Sequence, residues 1–426
     1  MTHRSPSASP APAGAPAVPP RSAPAFWTVA YLLFAVMLGG ALPTPLYPRY
    51  AADLGLSPLL IALVFAMYAV GILATLLLLG GLSDKAGRRR VLAPALAVAA
   101  LSCLVFILFP TLPGLIAGRF LSGVSVGLAT GAATAYLREL SPDPARAALV
   151  ASATNMFGLG GGPLLSGVLA RYAAWPLVVP YLALALCLLP GFLLARLPET
   201  VRRGGGRLRV QRLAVPPTSR PVFLAMGPAI FAAFALLGLL AALTGTFLKD
   251  VMHQHSPLLV GVLVCAAFSA AGLTQLAIRR FSLYAGALGG MVVVPLGLVL
   301  IVAALPTESL WLFLLGAVVG GAGAGAAFRS GVALVSGSAP ASLAGQAVSS
   351  LFVAAYLGLT VPVIGVGVLA AASSLFVAAV VFAVLVGVLT AASTVATLRF
   401  RRKQAAPPTA APPHDRNGVA AAGRTD

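Results

Sequence analysis

A short polar segment interrupts an otherwise apolar chain and holds side chains suited to electrostatic contacts. It runs from Gly80 to Leu92 and carries one acid and four bases, whereas charged residues make up only 9% of the 426 residues. Asp84 lies four residues before Arg88 and could pair with it. A carboxylate there would also be attracted to the positive N-terminal end of a neighbouring helix. Bases alone would serve as a topology signal, so Asp84 and the turn-forming Gly87 indicate a further role.

A second candidate is an arginine inside a long apolar run. Burying Arg119 in lipid would cost roughly 3 kcal/mol or more, so such a residue normally faces a cavity or a partner. The alternative is that Arg119 lies near the outer end of its span and extends its charge to the surface. Gly123 and Gly127 follow at a spacing of four residues. That spacing predicts a flat helix face that packs closely on another helix.

The third candidate is a glycine-rich stretch with a proline. Gly158 and Gly162 are four residues apart, and Pro163 and Gly167 follow them. The two glycines predict a close-packing face, and Pro163 removes a helical hydrogen bond and predicts a kink.

The ionisable groups that would support catalysis or metal binding are missing from the apolar runs. None of the nine acids lies in the middle of a run, and the three cysteines show neither disulfide nor metal spacing. We therefore expect no enzyme activity, no cofactor and no metal site. The acids nearest to the runs, and the candidates for carrying a proton, are Asp53, Asp84 and Glu139.

Composition fixes the elements that must position these residues. Hydrophobic residues make up 59% of the chain, its mean hydropathy is +0.99, and the apolar runs reach the length of about 20 residues needed to cross a bilayer. Continuous runs predict helices rather than a barrel, so the fold class is an all-α membrane protein. We predict twelve spans in two halves of six, residues 26–196 and 220–398. The predicted span limits are 26–47, 57–80, 90–109, 112–137, 145–170, 174–196, 220–248, 257–278, 283–305, 308–336, 343–368 and 371–398.

The charge distribution predicts the topology. With both termini inside, 23 of the 28 Lys and Arg residues lie on the inner side and only Arg49, Arg171 and Lys249 lie outside. This bias follows the positive-inside rule. It explains the net charge of +19 without a nucleic-acid partner. Residues 1–25 and 399–426 are expected to be disordered cytoplasmic tails, and 197–219 a cytoplasmic linker. Abundant Ala, Gly, Pro and Arg suggest a bacterial cytoplasmic membrane.

The polar segment resembles the signature loop of the major facilitator superfamily of secondary transporters. The family pattern is Gly-x-Leu-x-Asp-x-x-Gly-Arg-[Arg/Lys]-x-x-Leu, and every fixed position matches. The resemblance implies that Asp84 docks on the start of the eleventh helix, near residues 342–345, as a latch that forms in one state and breaks in another. The implied latch residues are Gly80, Leu82, Asp84, Gly87, Arg88 and Arg89.

Two weaker resemblances concern coupling and direction. The Arg119 segment is similar to the family pattern Arg-x-x-Gln-Gly-x-Gly, but Ser122 and Ser125 replace the Gln and one Gly. The Gly158 segment is similar to Gly-x-x-x-Gly-Pro-x-x-Gly-Gly, with Ser166 in place of one Gly. Within the family this last pattern marks drug/proton antiporters, so it implies export. Many proton-coupled members of the family carry an acid in the middle of the first or fourth span, and this sequence has none there.

The expected function is proton-coupled efflux of small amphipathic or apolar compounds by alternating access. The alternatives are a carrier of a neutral metabolite and a membrane sensor without flux. We expect a monomer whose partners are its substrate, protons and lipid. The cavity candidates are apolar, aromatic or uncharged polar side chains: Phe34, Met37, Phe65, Met67, Tyr68, Asn155, Met156, Phe234, Gln275, Phe328 and Tyr356.

Overall fold

The chain is a bundle of long helices joined by short connections. A computed structural model describes residues 23–79, 82–201, 215–340 and 343–405, and these contain no strand. Three short 3₁₀ segments, Thr44–Leu46, Leu189–Arg196 and Ile278–Arg280, accompany the α-helices. The α-helices are α1 (Ala23–Ala41), α2 (Tyr47–Leu54), α3 (Pro58–Leu79), α4 (Leu82–Ala86), α5 (Arg88–Leu108), α6 (Leu112–Leu140), α7 (Pro144–Tyr172), α8 (Val179–Leu188), α9 (Arg220–Asp250), α10 (Pro257–Ala277), α11 (Leu283–Ala304), α12 (Leu310–Ser338), α13 (Ala344–Ala372) and α14 (Leu375–Ala405).

Eleven helical segments of the described residues are long and apolar enough to cross a membrane. The first joins α1, the Thr44–Leu46 turn and α2, and another joins α8 to the 3₁₀ segment that follows it. The remaining long helix, α7, has 29 residues, which at about 1.5 Å per residue also spans a bilayer. Its glycines and its polar first turn lower its hydropathy. With α7 counted on its length, the twelve predicted segments are present, and the predicted all-α membrane fold is confirmed.

Side-chain caps fix where several spans begin. The Asp143 carboxylate accepts hydrogen bonds from the N–H groups of Ala145 and Arg146 at 2.8 and 3.2 Å, which satisfies donors that the first turn of α7 leaves free. Ser256 caps α10 in the same way. These short polar connections between apolar runs explain why the sequence located most spans to within a few residues.

The limits of the terminal segments differ from the predicted ones. Helix α1 begins at Ala23, inside the segment expected to be a disordered tail, and α14 continues to Ala405, past the predicted limit of 398. In both extensions the helix continues beyond the apolar run, because Ala and Arg favour helix in water as well as in lipid. The rest of the predicted tails, and residues 202–214 of the predicted linker, lie outside the described residues.

Close helix contacts join the two halves at one end of the bundle. A Cβ on Gly167 of α7 would lie 2.7 Å from the carbonyl oxygen of Pro257 in α10, and one on Gly367 of α13 would lie 3.0 Å from Cα of Leu59 in α3. Glycine therefore allows the backbones of the halves to touch. We call this the Arg49 end, and the opposite end, where α4 and α5 meet, the Arg88 end.

Candidate functional site

A cavity of about 340 Å³ lies between the two halves. On one side it is walled by aromatic rings of α9, α12 and α13. The ring centroids of Phe234 and Phe328 are 5.3 Å apart, those of Phe328 and Phe352 are 5.8 Å apart, and Phe352 stacks on Tyr356 at 6.3 Å. These spacings are typical of favourable aromatic pairs, so the wall is a continuous apolar face.

The opposite wall carries hydroxyl and amide groups from α6 and α7. It includes Thr130, Thr134, Ser152 and Asn155, and Arg138 is the one charged residue that lines the cavity among the described residues. No Asp or Glu of the described chain lines it. A mostly apolar space with a few polar groups on one side is what a site for small organic molecules requires.

The cavity is closed at the Arg49 end and continues toward the Arg88 end. The Thr44 hydroxyl donates to the carbonyl oxygen of Ala241 at 2.7 Å, across the two halves, and Pro48 packs against Gly245 there. In the other direction, a second cavity of about 310 Å³ shares the Thr134, Arg138 and Tyr356 walls and extends to α3, α5 and the start of α13. The halves therefore close over the cavity at the Arg49 end, and toward the Arg88 end they leave a space beside the contact of α7 with α10, where Ser152 donates to Gln275.

Arg119 is fully buried beside this cavity. One guanidinium nitrogen donates to the carbonyl oxygen of Gly40 at 2.8 Å, and the group lies over the rings of Tyr68 and Phe65, 4.5 and 5.4 Å from their centroids. The other two guanidinium nitrogens have no hydrogen-bond partner. The buried hydroxyl of Tyr47 has none either. Tyr68, Phe65 and Gly40 line the cavity, so a thin layer separates the charge from the space. The structure therefore places Arg119 in the core and not at the surface.

The polar segment at the Arg88 end forms a cluster within the N-terminal half. The Arg88 guanidinium donates to the carboxylate of Glu139 at 2.7 and 3.0 Å and to the Ser83 hydroxyl at 2.8 Å. The backbone N–H of Arg88 donates to the Glu199 carboxylate at 2.8 Å, and the Thr200 hydroxyl donates to Glu139. These contacts tie α4, α5 and α6 to the segment that follows the sixth span.

Gly87 makes this cluster possible. Its φ of +107° is unfavourable for any residue with a side chain, and a Cβ there would lie 2.5 Å from the Glu199 carboxylate. Arg89 strengthens the same junction, because its guanidinium donates to the carbonyl oxygens of Ala195 and Leu197 at 2.9 and 3.4 Å. The glycine and both arginines of the motif thus hold the end of the sixth span.

The predicted latch is only partly covered by the described residues. Gly80, the side chain of Asp84 and residues 341–342 lie outside them, so both the expected pair with Arg88 and the docking on the eleventh span stay predictions. Leu82 is half-buried in α4. The sequence did not identify the observed partners of Arg88, because Glu139 and Glu199 are 51 and 111 residues away from it.

The glycines of α6 and α7 use two kinds of contact. A Cβ on Gly123 would meet the carbonyl oxygen of Tyr68, one on Gly158 would meet Met37, and one on Gly162 would meet the carbonyl oxygen of Leu38, all within the N-terminal half. Pro163 is buried inside α7. A Cβ on Gly160 would instead lie 3.1 Å from Cβ of Phe268, in α10 of the other half. Helix α7 therefore has two packing faces.

Eight of the eleven cavity candidates line the cavity. They are Met37, Phe65, Tyr68, Asn155, Met156, Phe234, Phe328 and Tyr356. Phe34 instead packs against Gly158 and Gly161 of α7. Gln275 lies behind the wall, where its side-chain oxygen accepts from Ser152 and its amide nitrogen has no partner. Met67 does not line the cavity either.

Sequence reasoning missed several lining residues, including Thr134, Arg138, Phe268 and Phe352. Phe352 carried a usable signal, because it lies four residues before Tyr356 and thus on the same helix face. Among the described residues no group of three His, Cys, Asp or Glu side chains is placed to hold a metal ion.

A helical bundle of two halves around a central cavity defines a class of membrane carrier. The family model of the Major Facilitator Superfamily matches residues 29–361, which is well over half of the chain. The chain therefore belongs to this superfamily of membrane transporters.

Curated relatives match shorter stretches. The chain is 29% identical over 209 residues to the 4-hydroxybenzoate transporter PcaK of Pseudomonas aeruginosa, and the match covers 47% of each protein. It is 35% identical over 100 residues to the multidrug resistance protein MdtL of Escherichia coli, covering 24% of this chain and 26% of that protein. The chain thus spans about half, or about a quarter, of the length of these relatives.

Solved structures with the same fold cover most of the chain. A bacterial homologue of the human lysosomal transporter Spinster, solved in an inward-facing and unoccupied conformation, aligns with a TM-score of 0.73 at 15% identity, covering 92% of this chain and all of that one. The nucleoside transporter NupG aligns with a TM-score of 0.70 at 13% identity, covering 87% of this chain and 99% of that one. At these identities the likeness concerns the fold.

Proposed function

We propose that this chain exports small amphipathic compounds that carry an aromatic or other apolar ring system. The observation that carries the proposal is the cavity between the halves, with rings on one wall and hydroxyl and amide groups on the other. A ligand with one apolar and one polar face would satisfy both walls, because buried polar groups need partners and apolar groups gain by leaving water.

The charge of the cavity narrows the substrate class. Its described lining holds Arg138 and no carboxylate. A cationic drug would find no counter-charge there, whereas a neutral compound or one with a carboxylate near Arg138 would pay no such penalty. We therefore expect neutral and weakly anionic substrates to be preferred over cations. The resemblance to MdtL over 100 residues supports export.

A second candidate is uptake or exchange of a metabolite. The match to PcaK is longer than the match to MdtL, and that relative carries an aromatic acid. The aromatic wall and Arg138 would suit such a molecule equally well. Growth on a single carbon source separates the two candidates, because a carrier for uptake is required for growth, while an exporter protects against added compound.

The mechanism would be rocking of the two halves about the cavity, as in alternating access. In the observed state the Arg49 end is closed. If the Arg88 end faces the cytoplasm, as the positive-inside rule requires, this is an inward-facing state of a monomer in the bacterial cytoplasmic membrane. A phosphatase fusion after Gly205 tests that orientation: an inactive fusion is expected, and an active one would place this end outside.

Coupling to protons needs an acid that changes its charge during the cycle. With no carboxylate on the described cavity wall, the candidates are Asp84 and Glu139 at the Arg88 end. Glu139 is bound to Arg88 in this state, with 31% of its side chain accessible to solvent, and a rearrangement of that pair would remove its counter-charge. We expect substrate-induced proton release to survive Asp53→Asn, to be partly lost in Glu139→Gln and to fail in Asp84→Asn. Substrate movement without any proton signal in the wild type would show another form of coupling.

The test of the substrate class compares two phenylalanines. Phe328→Ala removes a ring from the cavity wall, while Phe281→Ala removes one that is 66% exposed in a connection. In proteoliposomes Phe328→Ala should raise the KM for neutral aromatic compounds about tenfold, consistent with about 1.4 kcal/mol of lost contact, and Phe281→Ala should change little. A drug-susceptibility panel with and without overexpression then identifies the compounds. Equal effects of the two variants would contradict a substrate site at this wall.

A further inference from the structure

The bases at the Arg49 end converge on a single cavity. Arg49, Arg171 and Lys249 are the bases that the sequence places at this end, and all three line a cavity of about 390 Å³ together with His255. They come from α2, α7, the end of α9 and the connection to α10. Because like charges repel, three bases that share one cavity are unfavourable unless a counter-charge binds there.

This cavity has little negative charge to balance it. No Asp or Glu of the described chain lines it. Asp53 approaches Arg49 at 4.0 Å, but both side chains are more than half exposed, and such a pair contributes little. Ser256 and Pro257, the start of α10, form another part of the lining. The dipole of a helix start adds to the positive potential.

The cavity also lies across the seam between the halves. Arg49 and Arg171 belong to the N-terminal half, while Lys249 and His255 belong to the C-terminal half. Its lining includes Pro48 and Gly245, which are in contact with each other in the closed Arg49 end. A ligand held by bases of both halves would have to lose half of its contacts before the halves could separate.

We propose that this cavity binds a phosphate group, either a free phosphate ester or the headgroup of an anionic phospholipid, and that the bound group holds the Arg49 end closed. Arginines bind phosphate oxygens by paired hydrogen bonds, and a lysine adds a point charge. The cavity has room for more than the phosphate itself. A ligand that binds one conformation better shifts the equilibrium toward it by its difference in affinity. The site is separate from the central cavity and does not depend on the substrate proposed above.

The test uses the full chain and two charge-matched variants. Arg171→Gln with Lys249→Gln removes two bases from the cavity, and Arg279→Gln with Arg280→Gln removes two exposed bases from the Arg88 end. Melting temperatures are measured in detergent with inorganic phosphate, and in vesicles of phosphatidylglycerol or phosphatidylcholine, at constant ionic strength with chloride. Spin labels at Ala174→Cys and Ser373→Cys, in a background without the three native cysteines, report the width of the Arg49 end.

The expected result is an increase of a few degrees in melting temperature and a narrower label distance, in the wild type and in the Arg279/Arg280 variant only. An effect of inorganic phosphate shows that a soluble phosphate group is a sufficient ligand, and an effect of phosphatidylglycerol alone identifies the lipid headgroup; both support the proposal. Arg171→Lys should retain the effect in weaker form. If neither probe acts on the wild type, or if the two double variants respond alike, the proposal is wrong.

Discussion

The two ends of the bundle are stabilised by different kinds of contact. At the Arg49 end the halves meet through backbone contacts at glycines and through the Thr44–Ala241 hydrogen bond, with the chain's small residues doing the packing. At the Arg88 end the charged contacts join parts of the same half, with Arg88 bound to Glu139 and Glu199. Close packing is a short-range contact that is lost as soon as the halves tilt, whereas the charged cluster can move with its half as a rigid unit.

The largest effect should come from filling a packed glycine. Gly162→Leu would drive a side chain into the backbone of α1 at Leu38, and overpacking of this kind costs at least about 1–3 kcal/mol. We expect transport to be lost, and Gly158→Leu should behave in the same way. Gly160→Leu should retain more activity, because the atoms nearest to an added Cβ there lie 3.1 Å away or farther.

Gly289→Leu is the matched control, since nothing lies within 4 Å of the added Cβ. Flux per folded protein, with size-exclusion profiles as the folding check, decides the order. Equal tolerance at Gly158, Gly160 and Gly162 would contradict close packing of α7.

Replacing the buried arginine should separate stability from function. Arg119 has two unpaired guanidinium nitrogens in the core, and a buried charge without a counter-charge is costly. Arg119→Leu should therefore keep or raise the melting temperature while transport falls about 10- to 100-fold, the value of one or two charged hydrogen bonds formed during the cycle. Thermal unfolding and proteoliposome flux measure the two quantities. A variant that loses stability and transport in proportion would make Arg119 a structural residue.

The charged cluster should respond more moderately. Glu139→Gln removes the carboxylate charge from Arg88 but keeps a hydrogen-bond acceptor, and the pair is partly exposed, with 9% and 31% of the two side chains accessible. We expect a loss of about 1–2 kcal/mol, seen as a melting-temperature decrease of a few degrees. In a double-mutant cycle, Arg88→Gln and Glu139→Gln should be non-additive. Additive losses would show that the two side chains act independently.

The smallest effect should come from a single hydrogen bond at the Arg49 end. Thr44→Val removes the bond to Ala241, worth about 1 kcal/mol, and so should shift the population toward opening about fivefold. Thr390→Val is the control, because the buried Thr390 hydroxyl bonds within its own helix at 3.0 Å. Label distances across this end measure the shift, and the same distribution in both variants would show that the bond does not hold the gate.

The sequence predicted features that depend on local pattern and missed those that depend on contacts between helices distant in sequence. Apolar runs located the spans, because crossing lipid requires a minimum length of apolar helix. The glycine spacing located the α1-facing side of α7. The partners of Arg88 and the second face of α7 at Gly160 were not predictable, because they depend on which distant helices become neighbours. The aromatic cavity candidates were chosen by residue type alone. Phe34 shows that an aromatic residue in a span can equally pack between helices.

The sixth span has a consequence for how the protein fits its bilayer. Its 18 residues, Val179–Arg196, would measure about 27 Å as one α-helix, short of the roughly 30 Å hydrocarbon thickness. The last eight residues form a 3₁₀ helix, which rises about 2.0 Å per residue and brings the span to about 31 Å. Winding thus corrects a hydrophobic mismatch without extra residues, and the stretched segment delivers Ala195 and Leu197 to Arg89 at the membrane edge. In a thinner membrane this span would shorten toward α-helix and pull Arg89, which is bound to its end, toward the middle of the bilayer.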